Sequence, residues 1–120
     1  MFMVKFAFKR EERLSRNTEY KKVYQGKRLQ NAFFTLYFVP NAKQINRIGF
    51  VAGKKCLKLS ARRNRLKRLL REVYRLNKAK IKGNFDLVIA ARKIDFPLNY
   101  KEVKKRVLEL LEKVNSYKIN

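Results

Sequence analysis

The spacing of apolar residues changes along this chain, and each change marks an element. In "NTEYKKVYQ", residues 17–25, Tyr20, Val23 and Tyr24 recur at i, i+3, i+4, which predicts a short helix. Asn17 is the expected cap, and Gly26 is expected to end the helix in the left-handed conformation. In "NAFFTLYFV", residues 31–39, the pattern becomes that of a strand stopped by Pro40. Alternation puts Ala32, Phe34, Leu36 and Phe38 on one face and Phe33, Thr35, Tyr37 and Val39 on the other. Both faces are largely apolar, so cover on both sides is expected. "RIGFVAG", residues 47–53, reads as a second strand, expected to pair with the first across the polar loop 41–46. "FDLVIAA", residues 85–91, has the unbroken apolar run of a central strand.

Two further helices complete the pattern. Near residues 100–115, Val103, Val107, Leu110, Leu111 and Val114 form one stripe, with Asn99 and Glu102 placed as a capping pair. Residues 62–76 place Leu66, Leu69, Leu70, Val73 and Leu76 on one side of a helical wheel. Asn64, Lys67, Arg68, Arg71 and Arg75 fall opposite, Arg63 and Arg65 lie at the flanks, and Ser60 is the expected N-cap. The order helix, strands, basic helix, strand, helix predicts an α/β (α+β) fold, one domain over residues 1–120. The opening "MFMVKFAFKR" reads as a flexible tail, within residues 1–12, or an added strand, and is too short for a signal peptide.

Charge changes this picture more than composition does. Thirty-two basic and 9 acidic residues give +23, a field that attracts polyanions, while 46% hydrophobic residues suffice for a core. No run of about 18 apolar residues exists to span a membrane. An interfacial helix would need its apolar side free for lipid, and here that side faces the sheet. The lone Cys56 gives no disulfide framework and suggests a reducing cytoplasm. With no histidine and scattered acids, no catalytic residue, metal site or small-molecule substrate is assigned to the chain itself.

The basic helix begins with Arg62, Arg63 and Arg65 in its first turn, where the helix dipole disfavours positive charge. A solvated helix face mixes signs, but Glu72 is the one acid this helix offers. Phosphate supplies the missing negative charge, and the arginine fork matches its oxygens. A nucleic acid is therefore the expected partner, with Lys54, Lys55 and Lys58 extending the zone. Tyr20, Tyr24, Phe33 and Tyr37 have two readings, core packing or a surface on which single-stranded bases stack.

These residues also carry a family resemblance. "ARRNRLKRLLREVYR" resembles the RNR motif of the bacterial ribonuclease P protein component. "RIGFVAGKK", "RLSRNTEYKKVYQGKRLQNAFFTLYF" and "FDLVIAARK" are similar to that family's other motifs, in order, over nearly the whole chain. The resemblance implies a two-layer sandwich, a small mainly antiparallel sheet with about three helices and a left-handed βαβ crossover. It implies an RNA-binding subunit that assists a catalytic RNA in removing the 5′ leader of precursor tRNA. Mg²⁺ would act in the holoenzyme, bound mainly by RNA, with none intrinsic to this chain. The motif maps to Arg62, Arg63, Asn64, Arg65, Lys67, Arg68 and Arg71 as contacts to the catalytic RNA, with Lys54 and Lys55 nearby. The leader would lie on Tyr20, Tyr24 and Tyr37. A ribosomal or general RNA-binding protein is the alternative.

Overall fold

The computed structural model describes residues 8–53, 57–92, 94 and 99–116. Helix α1 (Asn17–Tyr24) leads into strands β1 (Lys27–Gln30), β2 (Phe34–Pro40) and β3 (Arg47–Val51). Helix α2 (Ser60–Asn77), strand β4 (Phe85–Ala91) and helix α3 (Tyr100–Val114) follow. The four strands form one sheet in the order β1-β2-β4-β3. β1–β2 and β2–β4 are antiparallel, while β3–β4 is parallel.

That order corrects the expected pairing of β2 with β3. β4 enters between them, as its continuous apolar run requires, and α2 supplies the crossover between the parallel strands β3 and β4. β1 has no counterpart in the expectations, because "KRLQ" offers one apolar residue and no alternation to read. The expected strand from residue 31 begins at Phe34. Before it, the Asn31 side chain accepts from the Phe33 and Phe34 amides at 3.0 and 2.9 Å, closing the β1–β2 turn.

Alternation then sorts the sheet into two faces. Phe34, Leu36, Phe38, Ile48, Leu87 and Ile89 point to the face that α2 and α3 cover. Val88 points to the other face, with Leu14, Val23, Tyr20, Tyr37, Val39 and Val51. The two-layer expectation thus describes the larger core, and α1 adds a partial third layer. The α3 stripe is buried as expected at Val103, Val107, Leu110, Leu111 and Val114, and Asn99 caps the helix by accepting the Glu102 amide at 2.8 Å.

Three local expectations are corrected. Gly26 does not take a left-handed conformation; Gly83, at φ 85°, is the one described residue that does. Gly26 is small because a Cβ there would collide with the Phe38 carbonyl. α1 is capped by Glu19, whose Oε1 accepts the Ser15 and Arg16 amides at 3.0 Å each, and not by Asn17. Ser60 lies inside α2, whose cap residue is Leu59. Residues 1–7 lie outside the described residues. From residue 8 the chain is anchored: Phe8 stacks edge-on with Phe50 and Tyr74 at centroid distances of 6.3 and 5.7 Å, and Lys78 pairs with Glu12 at 2.8 Å.

Candidate nucleic-acid interface

The phase of α2 decides which of its basic groups can reach a partner. Leu66, Leu70, Val73, Tyr74 and Asn77 are buried, so the inward face is centred between Leu70 and Val73. Leu69 is half-buried and Leu76 is exposed, so the predicted apolar side is rotated toward Tyr74 and Asn77. Tyr74 replaces Leu76 as the large buried side chain, and Asn77 is satisfied by donating to the Val73 carbonyl at 2.8 Å.

The rotation separates the predicted contacts into two kinds. Arg62, Arg65, Arg68 and Arg71 are exposed and, at intervals of three residues, form a ridge with Asn64 beside it. Lys67 is half-buried. Arg63 turns inward, donating to the Leu57 and Lys58 carbonyls at 2.9 Å each, and so ties down the segment that enters the helix. Arg75 pairs with Glu72. Lys54 and Lys55 lie outside the described residues.

Three of the four predicted aromatics come together. Tyr24 meets Tyr37 edge-on at 4.9 Å between centroids, and Tyr20 lies 6.5 Å from Tyr24. The sheet register builds their floor. Tyr37 on β2 is opposite Val88 on β4, which is opposite Gly49 on β3. Val23 of α1 packs with Val88, placing Tyr24 over Tyr37 and Tyr20 over Gly49. A Cβ at Gly49 would strike the Tyr20 ring, so this glycine makes the seat. Phe33 is not part of the group. It packs with the larger core, beneath the Arg106 guanidinium of α3 at 4.6 Å.

Burial, followed by the neighbouring Glu19 charge, raises the Tyr20 pKa, and Arg71 opposes the shift. Burial, followed by the adjacent tyrosines, raises that of Tyr24. Both phenols therefore stay neutral at physiological pH, and their rings do not repel phosphate. Tyr24 is 42% exposed, so part of its side chain is accessible to a partner. Arg71 lines the same small cleft as Leu14, Tyr20, Gly49 and Phe50, which joins the arginine ridge to the tyrosines.

A polar network, absent from the sequence expectations, holds α1 against the sheet. Arg47 donates from Nε and Nη2 to the Asp86 carboxylate at 2.9 and 2.6 Å, and from Nη1 to Glu19 at 2.6 Å. Asn41 donates to Asp86 at 2.8 Å. The Arg16 and Ser15 amides, and then Arg47, lower the Glu19 pKa from 4.5 to about 2. A depressed carboxylate stabilises the fold fully above its unfolded pKa, and that stability fades as pH falls toward the folded one. Urea midpoints should therefore drop as pH falls from 4.5 toward 2, and Glu19→Gln should flatten that portion of the curve. An unchanged slope would mean that Glu19 does not anchor α1.

A family model described as ribonuclease P matches residues 8–115, spanning every element above. The chain belongs to the ribonuclease P protein family. It is 39% identical to the ribonuclease P protein component of Alkaliphilus oremlandii over 104 residues, 86% of this chain and 90% of that one. The ribonuclease P protein of Thermotoga maritima matches it in structure with a TM-score of 0.73 at 33% identity, covering 85% and 96% of the two chains. That of Staphylococcus aureus gives 0.74 at 25% identity, covering 86% and 94%. The chain is thus an RNA-binding protein subunit of the endoribonuclease ribonuclease P. The α+β fold agrees with the relatives' structures.

Proposed function

We propose that the arginine ridge of α2 docks on the catalytic RNA while the tyrosine surface holds the single-stranded 5′ leader of precursor tRNA. The observation that carries this reading is the position of Arg71, which ends the ridge and borders Tyr20. One continuous surface then offers phosphate contacts on α2 and stacking faces on α1 and β2. Fixed positive charge between two RNAs screens their repulsion. A leader exists in the precursor and not in the product, so stacking on Tyr20, Tyr24 and Tyr37 favours substrate over product.

The described side chains include no group of three His, Cys, Asp or Glu fit to hold a metal ion. In this reading Mg²⁺ is held by the RNA, and this chain binds, orients and screens. Cleavage of precursor tRNA at low Mg²⁺, with protein alone, catalytic RNA alone and both together, tests the proposal. Activity restored by the combination is expected. No gain from combining them would point to a general RNA-binding protein, and cleavage by protein alone would point to a nuclease site in the chain.

A further inference from the structure

We propose that Arg28, on the outer strand β1, grips a backbone phosphate of the single strand stacked on Tyr24 and Tyr37. It thereby directs that strand across the sheet toward the β1 edge. The inference rests on the tyrosine surface being the leader site and adds the path the leader takes.

The register supplies the argument. Arg28 is opposite Tyr37 in the β1–β2 ladder, and directly opposed residues project from the same face. The neighbouring pair Leu29 and Leu36 packs into the core of the other face, which fixes Arg28 on the tyrosine side. One row therefore crosses the sheet as Arg28, Tyr37, Val88 and Gly49, with Tyr24 and Tyr20 standing above it. Arg28 is exposed, and no acidic group pairs with it among the described residues. The tyrosines are thus bracketed by two arginines, Arg71 at the α2 end and Arg28 at the β1 end.

The two ends are not equivalent. Beside β3, Leu14 donates its amide to the Ile48 carbonyl at 3.0 Å, and Arg13 bridges to Ile48, so chain covers that edge. β1 has no strand beyond it among the described residues. A strand that enters from the catalytic-RNA side at α2 therefore leaves over β1. Three strand intervals separate Gly49 from Arg28, about 14 Å at the usual inter-strand spacing. At about 3.4 Å per stacked nucleotide that distance holds about four. Arg28 then meets the leader several nucleotides upstream of the cleavage site, and short leaders do not reach it.

The test measures holoenzyme affinity for precursors with leaders of about two, four and eight nucleotides, and for tRNA without a leader. Arg28→Ala should weaken binding of the longest leader about fivefold and reduce its salt slope by about 0.7. The two-nucleotide leader and leaderless tRNA should bind as to the unaltered protein, and Arg28→Lys should retain most of the long-leader affinity. If Arg28→Ala behaves as the unaltered protein at every length while Tyr24→Ala still loses leader preference, the Arg28 path is wrong and the leader site stands. If neither variant alters leader preference, the leader site fails and the path with it. An equal loss for leaderless tRNA would place Arg28 against the tRNA body and overturn the proposal.

Discussion

Arg47→Ala should destabilise the protein by about 3–5 kcal/mol, the largest effect expected of one substitution here. Asp86 has a side chain only 4% exposed, and Arg47 supplies both its charge partner and two of its hydrogen bonds. Removing the guanidinium leaves a buried carboxylate held by the Asn41 side-chain amide, with no cation among the described residues to balance its charge. Glu19 loses its link to the sheet in the same step. The melting temperature should fall by about 10–20 °C for a chain of this size. Arg47→Met combined with Asp86→Leu should lose far less, because no unpaired charge stays buried. Equal melting of Arg47→Ala and the double variant would show that packing, not charge pairing, sets the cost. Since Glu19 lies on the helix that carries both Tyr20 and Tyr24, residual folded Arg47→Ala should also bind leaders poorly.

Arg65→Ala with Arg68→Ala should weaken binding to the catalytic RNA about 100-fold at low salt, from two lost charge-assisted contacts. The slope of log affinity against log salt should become shallower by about 2. Both residues are exposed on the ridge, and the large core does not depend on their side chains. Arg75→Ala provides the comparison, because its guanidinium is already paired with Glu72 and its neutralising effect on RNA is smaller. A double variant that binds with an unchanged salt slope would remove α2 as the docking surface.

How much of this was legible in the sequence differs between elements for physical reasons. The α3 stripe and the β2 alternation were readable because each records a local period that burial enforces. β1 was not, since "KRLQ" forms a strand by pairing with β2 rather than through a pattern of its own. Strand order was hidden for a related reason: neighbours distant in sequence decide it, and β4 separates β2 from β3. On α2 the basic surface was visible, but the leucines alone mark a phase different from that of the folded helix. The buried phenol of Tyr74 and the self-satisfied Asn77 shifted it enough to turn Arg63 inward.

The tyrosine site was half legible. Helical spacing put Tyr20 and Tyr24 together, and strand parity put Tyr37 on a face with Phe33. The Asn31 turn takes Phe33 out of that face and brings it under Arg106. Gly49 and Arg28 complete the surface through cross-strand register, which no local pattern carries. Glu19 had a visible signal, an acid in the first turn of α1, but its partner Arg47 lies 28 residues away.

The most direct test of the account is the ratio of holoenzyme affinities for precursor tRNA and for the same tRNA without its leader. Stacking on an aromatic ring is worth about 1–3 kcal/mol per base, so Tyr20→Ala with Tyr24→Ala should cost the precursor at least about tenfold. Affinity for the leaderless tRNA should stay unchanged, and the ratio should fall toward one. A loss of equal size for both RNAs would contradict the account, because the tyrosines would then be supporting the fold or the tRNA body rather than holding the leader.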